Sequence, residues 1–343
     1  EKAPAQEPEA LSWYAKGTGQ IFVRSSWKPD ATWLMLQCGP RFTYHQHLDQ
    51  GQIQIFKTGD LTGESGVYEP SGPSEQEGHL QGYASRAIAH NTINVYDPNE
   101  VFSGYRSGNS PRNDGGERTW RPFSNTATTA AIWKDGFEKG GYETGRIVDF
   151  ADENTFVYVA MDLTGAYNSD RYVSEPNKSK VHEVTRQVVY FRPQDEREID
   201  CVMVFDRVRA TDPSFEKRIL WHFPNYVLVS GTETKVAEGE FSYDGDLAQT
   251  DTGGGRLFIR TVWPKGAKIN KVGGPGKEYW VFGKNFPVPD TPWERGYAQW
   301  RIEIMPGTPQ ADDCFLTVLF PMDKSVTEAP VVERLAGNKT LGA

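Results

Sequence analysis

Two stretches of this chain, "EVTRQVVYF" (residues 183–191) and "CVMVFDRV" (residues 201–208), decide its fold class. Both alternate apolar with polar side chains and are rich in β-branched and aromatic residues. Because successive side chains of a β-strand point to opposite faces, this period of two predicts strands that each bury one face. The polar segment between them, with its proline and aspartates, predicts a turn.

The same period of two recurs along most of the 343 residues, and no segment carries a long amphipathic helical pattern. Glycine (34 residues) and proline (22 residues) separate the runs. Many short strands without interleaved helices predict an all-β fold, a large antiparallel β-sandwich (a supersandwich), rather than a parallel α/β fold. Further strands are predicted at 20–24, 32–37, 52–57, 92–96, 156–161, 217–223, 256–262, 300–305 and 314–320.

The length allows one large β-domain or two domains. Glycine-rich segments near 251–257 and 272–278 are the best candidate breaks. We therefore predict a linker or the boundary of a longer chain at 1–17, a central sandwich at 18–265, and a smaller C-terminal β region at 266–343. The opening "EKAPAQEPEA" has no apolar region typical of a secretory signal, so the natural chain is expected to extend further upstream.

Composition excludes some functions. The formal net charge is −9 with no basic stripe, which argues against a nucleic-acid-binding protein. No apolar run reaches the 18 residues typical of a transmembrane helix. The three cysteines, Cys38, Cys201 and Cys314, lie far apart, so neither a disulfide framework nor a thiolate zinc site is expected. Buried free thiols are favoured, and one disulfide with one free thiol remains an alternative.

The stretch "RFTYHQHLDQ" (residues 41–50) places His45 and His47 one residue apart, followed at the same spacing by an aspartate. In a strand these side chains would share one face. Glu64 follows just before a Gly-Val-Tyr, and His90 lies in a later His-Asn-Thr. Imidazole and carboxylate groups are typical zinc ligands, and zinc needs three or four of them. The candidate ligands from the residues alone are His45, His47, Asp49, Asp60, Glu64 and His90. The alternative for His90 alone is a core histidine bonded to the backbone.

These motifs resemble the C-terminal half of the heparinase II/III-like polysaccharide lyases. The likeness extends to "GQIFVRSSWKPDATWLMLQCGP" (residues 19–40), which is similar to the opening strands of that family. "RQVVYFRP", "VMVFDRV" and "ILWHFPN" are similar to its later strands. The resemblance therefore covers residues 18–223, and the remainder more loosely.

The resemblance implies a helical toroid before the β-sandwich, with substrate in the cleft between them. It implies a structural zinc ion held by His47, Glu64 and His90, although the family usually has aspartate where this sequence has Glu64. His45 matches the histidine that faces the substrate uronate. The family's catalytic tyrosine, with a further histidine and an asparagine, lies on the toroid, for which this chain has no helical region.

The chemistry that the resemblance implies is β-elimination, in which a base removes the proton next to a uronate carboxylate and the developing charge needs stabilisation. His45 beside the carboxylate would supply that stabilisation, whereas zinc would hold the neighbouring chain in place. The candidate substrate-binding residues are Gln46, Arg86, Tyr105 and Arg106. The face carrying His45 is expected to be locally positive, because the polymer is anionic. The arginines expected to supply that charge are Arg41, Arg86, Arg106 and Arg112.

The leading hypothesis is thus the zinc-containing C-terminal half of a periplasmic or secreted lyase that cleaves uronate-containing glycans, either heparin/heparan sulfate-like or alginate-like. Its partners would be the anionic polysaccharide and the toroid domain, and the fragment alone would be inactive. The main alternative is a non-catalytic carbohydrate-binding or scaffold module with a structural zinc, which should carry a stripe of exposed aromatics on one face. A metal-dependent hydrolase is a third possibility, disfavoured because nothing supplies a second metal or a clear nucleophile.

Overall fold

The structure is a computed structural model that describes residues 10–41, 46–68, 78–100, 113–118, 144–168, 178–195, 198–288, 297–337 and 340–342. Almost all regular structure in these ranges is β-strand. The strands are β1 (Ser12–Ala15), β2 (Gln20–Arg24), β3 (Trp33–Gln37), β4 (Gln52–Phe56), β5 (Asp60–Thr62), β6 (Ile93–Tyr96), β7 (Arg146–Asp152), β8 (Phe156–Asp162), β9 (Val181–Phe191), β10 (Cys201–Ala210), β11 (Glu216–Phe223), β12 (Leu228–Val229), β13 (Glu233–Ala237), β14 (Glu240–Tyr243), β15 (Leu247–Thr252), β16 (Gly255–Trp263), β17 (Lys268–Gly273), β18 (Trp280–Val281), β19 (Lys284–Asn285), β20 (Trp300–Met305), β21 (Asp312–Asp323), β22 (Leu335–Gly337) and β23 (Thr340–Gly342). The helical elements are a π-helix (Leu80–Ala84), a 3-10 helix (Ala87–Ala89) and α1 (Thr164–Tyr167).

Three antiparallel sheets make up the body of the protein. The first has the order β1-β2-β3-β4-β5, the second β12-β15-β16-β21-β10-β9-β8-β7, and the third β13-β14-β17-β20-β11-β6. One hydrophobic core joins them, with Ile21 and Leu34 from the first sheet, Val188 and Val204 from the second, and Ile219 from the third. The prediction of an all-β, antiparallel sandwich is confirmed, and every predicted strand is present.

The predicted break near 251–257 is a turn within a sheet, and the one near 272–278 is the turn between β17 and β18. The glycines near 253 close the hairpin between β15 and β16, where Gly253 has a φ of +60°. Beyond residue 266, β17 and β20 pair with each other and β20 pairs with β11, while β21 lies between β16 and β10. Strand β1 falls within the predicted linker at 1–17 and pairs with β2. The strands on both sides of the predicted boundary at 265 therefore share sheets and core.

The sequence also predicts free cysteines and no transmembrane helix. Cys38, Cys201 and Cys314 are all free, as favoured from their spacing, but only Cys38 is buried. Among the residues that the structure describes, no helix is long and apolar enough to cross a membrane.

A buried ion pair ties the second sheet to the loops that carry the candidate site. Arg186 on β9 and Asp206 on β10 lie directly opposite each other and are both fully buried. The Arg186 guanidinium donates to the Asp206 carboxylate at 2.6 and 3.1 Å, and to the backbone carbonyls of Gly51 and Asn91 at 2.6 and 2.8 Å. Because those two carbonyls lie next to the loops described below, this pair fixes their position relative to the core.

Replacing Asp206 by alanine is expected to lower the free energy of unfolding by about 3–5 kcal/mol, because the Arg186 charge would stay buried without its partner. Asp312→Ala is the matched control, since Asp312 pairs with Arg207 on the same strand β10 but the two side chains are 44% and 40% exposed. Its expected cost is about 0–1 kcal/mol. Denaturant unfolding measures both, and equal costs for the two variants would contradict the prediction.

Candidate functional site

The three predicted metal ligands come together from three loops. His47 precedes β4, Glu64 follows β5, and His90 lies between the 3-10 helix and β6. One ligand atom from each lies within 4.8 Å of the other two. The Nδ1 of His47 is 3.9 Å from a carboxylate oxygen of Glu64, and the His47 and His90 ring centroids are 5.2 Å apart. Residues far apart in sequence thus form one compact set of metal-ligating side chains.

The local structure around His47 differs from the expectation. Residues 46–49 form a loop and not a β-strand, so the predicted alternation of faces there is wrong. The chain reverses in a turn in which the Gln52 amide donates to the Asp49 carbonyl at 3.0 Å, and Gly51 takes a φ of +83°. His45 lies outside the described residues, so its predicted role remains a prediction.

Backbone hydrogen bonds hold the three loops against one another. The amide of Leu48, next to His47, donates to the Ser85 carbonyl at 3.0 Å. The amide of Ser65, next to Glu64, donates to the carbonyl of Ala89, the residue before His90, at 2.8 Å. Each ligand therefore lies one residue from a backbone contact with the helical segment that ends at His90.

Asn91 fixes the backbone immediately after His90. Its side-chain amide donates to the carbonyls of Ile53 at 2.8 Å and Gly63 at 3.2 Å, while its oxygen accepts from the His222 amide at 2.7 Å. These contacts join the loop after β5 and strand β11 to the His90 segment. The asparagine of the His-Asn-Thr motif is therefore a structural clamp behind the candidate ligands.

His90 has the properties of a metal ligand more than of a core histidine. It is fully buried, and neither ring nitrogen has a hydrogen-bond partner of acceptable geometry. Burial lowers the pKa of His90 to about 3, against a weak opposing effect of the Ala84 backbone. By contrast, the buried His222 places Nε2 at 2.9 Å from the Ile88 carbonyl. A neutral imidazole with unpaired nitrogens, beside a second imidazole and a carboxylate, fits the donor set of zinc.

A cleft of about 460 Å³ opens beside this cluster. Its lining combines aromatic and polar side chains. The two charged lining residues among those described, Asp60 and Glu64, are both acidic. The lining residues are Trp33, His47, Gln54, Ile55, Phe56, Asp60, Thr62, Gly63, Glu64, Ser65, Gly66, Val67, Tyr68, Ala84 and Tyr297.

The expectation of a locally positive face is not met by the arginines that the structure describes. Arg41 is fully buried and donates to the Gln46 carbonyl at 3.1 Å. Arg86 is 3% exposed and its guanidinium lies 3.1 Å from the Asp114 carboxylate. Because each is held inside the protein by polar partners, neither lines the cleft, and the assignment of Arg86 to substrate binding is not supported.

Of the other predicted substrate-binding residues, only Gln46 lies in the part of the chain that the structure describes. Gln46 is half-buried next to His47, and its side-chain amide donates to the Pro40 carbonyl at 3.1 Å. Tyr105 and Arg106 lie outside the described residues, as does Arg112, so their assignments remain predictions.

Sequence reasoning missed the aromatic wall of the cleft. Tyr297 comes from a distant segment, its ring packs beside Gly63, and its carbonyl accepts from the Gly66 amide at 2.9 Å. Burial and a hydrogen bond to Asp60 raise the pKa of the Tyr297 hydroxyl. No local signal in the sequence links Tyr297 to Glu64. The outward-facing Trp33 and Phe56, in contrast, follow from the alternation of β3 and β4.

The fold is similar to that of solved heparinase III and heparan sulfate lyase structures. A heparan sulfate lyase from Pedobacter heparinus aligns with a TM-score of 0.60 and 14% identity over 97% of this chain and 39% of that chain. A heparinase III gene product gives a TM-score of 0.56 with 15% identity, covering 97% of this chain and 39% of its own. Another heparinase III gives 0.53 with 12% identity, covering 94% and 38%.

The chain thus has the fold of the C-terminal portion of these lyases and spans about two fifths of their length. The resemblance noted from the sequence motifs is confirmed in the structure. No protein-family model and no curated protein matches the chain.

Proposed function

We propose that this chain is the zinc-containing portion of a polysaccharide lyase that cleaves uronate-containing glycans by β-elimination. The observation that carries the proposal is the convergence of His47, Glu64 and His90 beside an open cleft, in a fold shared with heparan sulfate lyases. A heparan sulfate-like or alginate-like polymer is the proposed substrate class.

Zinc would be held by the two imidazoles and the Glu64 carboxylate. The fit rests on the buried, unpaired nitrogens of His90 and on ligand atoms that lie close enough to be drawn together by a small movement. The ion would neutralise the Glu64 charge and lock three loops to one another. Its divalent charge would outweigh that single carboxylate, which lessens the repulsion of an anionic polymer by the acidic cleft.

In the proposed reaction a base removes the proton on the carbon that bears the uronate carboxylate. The carbon–oxygen bond to the next sugar then breaks, the electron pair forms a carbon–carbon double bond, and the leaving oxygen takes up a proton. His45 is proposed to hydrogen-bond the carboxylate and stabilise the charge that develops on it. Arg106 and Tyr105 are proposed to hold the polymer, with Gln46 supporting the loop that carries both histidines.

The groups that exchange protons with the sugar are proposed to come from a helical toroid domain of the kind that the sequence resemblance implies. The similar structures are more than twice as long as this chain, which leaves room for such a domain in them. We further propose a periplasmic or secreted location, because uronate polymers of this kind occur outside the cytoplasm.

Elimination creates an unsaturated uronate whose ultraviolet absorbance reports the reaction directly. The 343-residue protein should release almost none from heparan sulfate, heparosan or alginate, whereas a longer natural protein that includes the toroid should release it from one of these polymers. A longer protein inactive on all of them, yet loaded with zinc, would favour the alternative of a carbohydrate-binding module with a structural zinc. Strong activity of the 343 residues alone would show that the proton-exchanging groups lie in this chain.

A further inference from the structure

The outer face of the first sheet carries an ordered arrangement of aromatic residues. In β2 and β3 the residues Ile21, Val23, Leu34 and Leu36 point into the core, so their neighbours point outward. Directly opposed residues of antiparallel strands share a face, and side chains along such a row contact one another.

One row on this face crosses four strands. Trp13 on β1 lies opposite Phe22 on β2, Phe22 opposite Met35 on β3, and Met35 opposite Gln54 on β4. Trp13 is 68% exposed, the largest exposure of any tryptophan among the described residues. Neighbouring strands are about 4.8 Å apart, so the row spans about 14 Å.

A second row runs beside the first. Arg24 on β2 lies opposite Trp33 on β3, Trp33 opposite Phe56 on β4, and Phe56 opposite Asp60 at the start of β5. The rings of Phe22 and Trp33 have their centroids 6.2 Å apart with planes inclined by only 30°, which joins the two rows into one surface. We call Trp13, Phe22, Trp33, Met35 and Phe56 the aromatic face.

The aromatic face is continuous with the cleft beside the candidate metal centre, because the two share residues. Trp33, Gln54 and Phe56 also line the cleft. At the end of the first row, the Gln54 side-chain amide donates to the Glu64 carboxylate at 3.3 Å. A chain molecule lying along the first row would therefore reach the cleft at Gln54 and Glu64.

We propose that the aromatic face binds the flanking sugars of a glycan whose reacting part occupies the cleft. The inference rests on the proposed function and adds where the polymer lies and what holds it. Pyranose rings present apolar C–H faces and a polar edge of hydroxyls, which suits flat rings bordered by amide and charged groups such as Gln20, Gln54, Arg24 and Asp60. Because Arg24 and Asp60 carry opposite charges, this surface should hold sugars mainly by apolar contact.

Carbohydrate is favoured over a second copy of this chain because the apolar residues form rows between polar ones and lead into the cleft. A protein interface more typically has a continuous apolar centre with polar groups at its rim. If the face binds glycan, substitutions on it should change the affinity for sugar; if it binds a second copy of the chain, they should change the oligomeric state.

The test uses the 343-residue protein and purified octasaccharides of heparosan and of alginate, titrated by calorimetry. Trp13→Ala and Phe22→Ala are each expected to weaken binding of the favoured octasaccharide by about tenfold. Binding of the corresponding disaccharide should not change, because it is too short to cover both cleft and face. Leu228→Ala is the control, since Leu228 is 58% exposed on the second sheet.

Raising the salt concentration from low to physiological should leave the ratio of affinities between wild type and Trp13→Ala unchanged, because apolar contact is not screened. Wild-type affinity in both face variants would overturn the inference, as would wild-type protein that binds neither octasaccharide. A change in oligomeric state in Trp13→Ala with unchanged sugar binding would also overturn it and identify an interface between copies. Zinc content and elimination by the longer protein are measured separately, so the proposed function can stand or fail independently.

Discussion

Replacing His47 by alanine is expected to leave the purified protein without stoichiometric zinc and to lower its Tm by about 5 °C. A ligand present at about 100 times its Kd stabilises the folded state by about 2.7 kcal/mol, and that contribution disappears with the site. For a large domain about 2 °C of Tm corresponds to each kcal/mol. His90 and Glu64 alone provide too few ligands for a stable zinc site, because structural zinc is held by four groups and catalytic zinc by three. Elemental analysis and thermal unfolding provide the two measurements.

His182→Ala is the matched control, because His182 is an exposed histidine on β9, remote in sequence from the three ligand loops. It should keep its zinc and its Tm. Adding a chelator to the wild-type protein should reproduce the Tm of His47→Ala, and the same chelator should not change the Tm of that variant. Wild-type protein that holds no zinc after purification without chelators and after incubation with zinc would contradict the metal site.

Replacing His45 by alanine in a longer protein that includes the toroid is expected to reduce the elimination rate by about 10²–10⁴-fold while leaving the zinc content unchanged. The reason is that His45 is proposed to act on the uronate carboxylate, whereas its neighbour His47 is proposed to hold the metal. The rate is followed by the absorbance of unsaturated uronate, and zinc by elemental analysis of the same sample.

The contrast between the two histidines is what makes this prediction specific. His47→Ala in the same longer protein should lose zinc, stability and activity together. His45→Ala should lose activity alone, and it should keep the Tm of the wild type. An active His45→Ala variant would remove His45 from the mechanism, and loss of zinc in that variant would place it among the ligands.

The strands were predictable because their signal is local. β2 (Gln20–Arg24) and β20 (Trp300–Met305) have the predicted bounds, since β2 alternates buried with partly buried side chains and the sequence of β20 alternates apolar with charged residues. Two of the strands missed from the sequence lack that signal. β7 (Arg146–Asp152) and β13 (Glu233–Ala237) lie at the edges of their sheets with mostly exposed side chains, so no buried face imposes a period of two.

The three residues of the candidate metal centre were also predictable, because each lies in a short sequence motif that resembles a motif of a known family. Their convergence was not, since it depends on loop contacts such as that between Ser65 and Ala89. The burial and the partners of the arginines could not be predicted from the sequence either. The position of Arg86 close to His90 in the sequence suggested a cleft residue. In the structure Arg86 pairs inside the protein with Asp114, which comes 28 positions later.

The sequence by itself determined the all-β class and eleven of the 23 strands that the structure describes, and the resemblance of its motifs to a known family assigned the three candidate ligands His47, Glu64 and His90. These depend on side-chain chemistry and on a period of two, which are properties of neighbouring residues. Only the tertiary structure decided that Tyr297 lines the cleft, that Arg86 is buried, and that the rows from β1 to β4 meet the metal centre. Those features arise from packing between segments distant in the chain, where burial and pairing are settled by the whole fold.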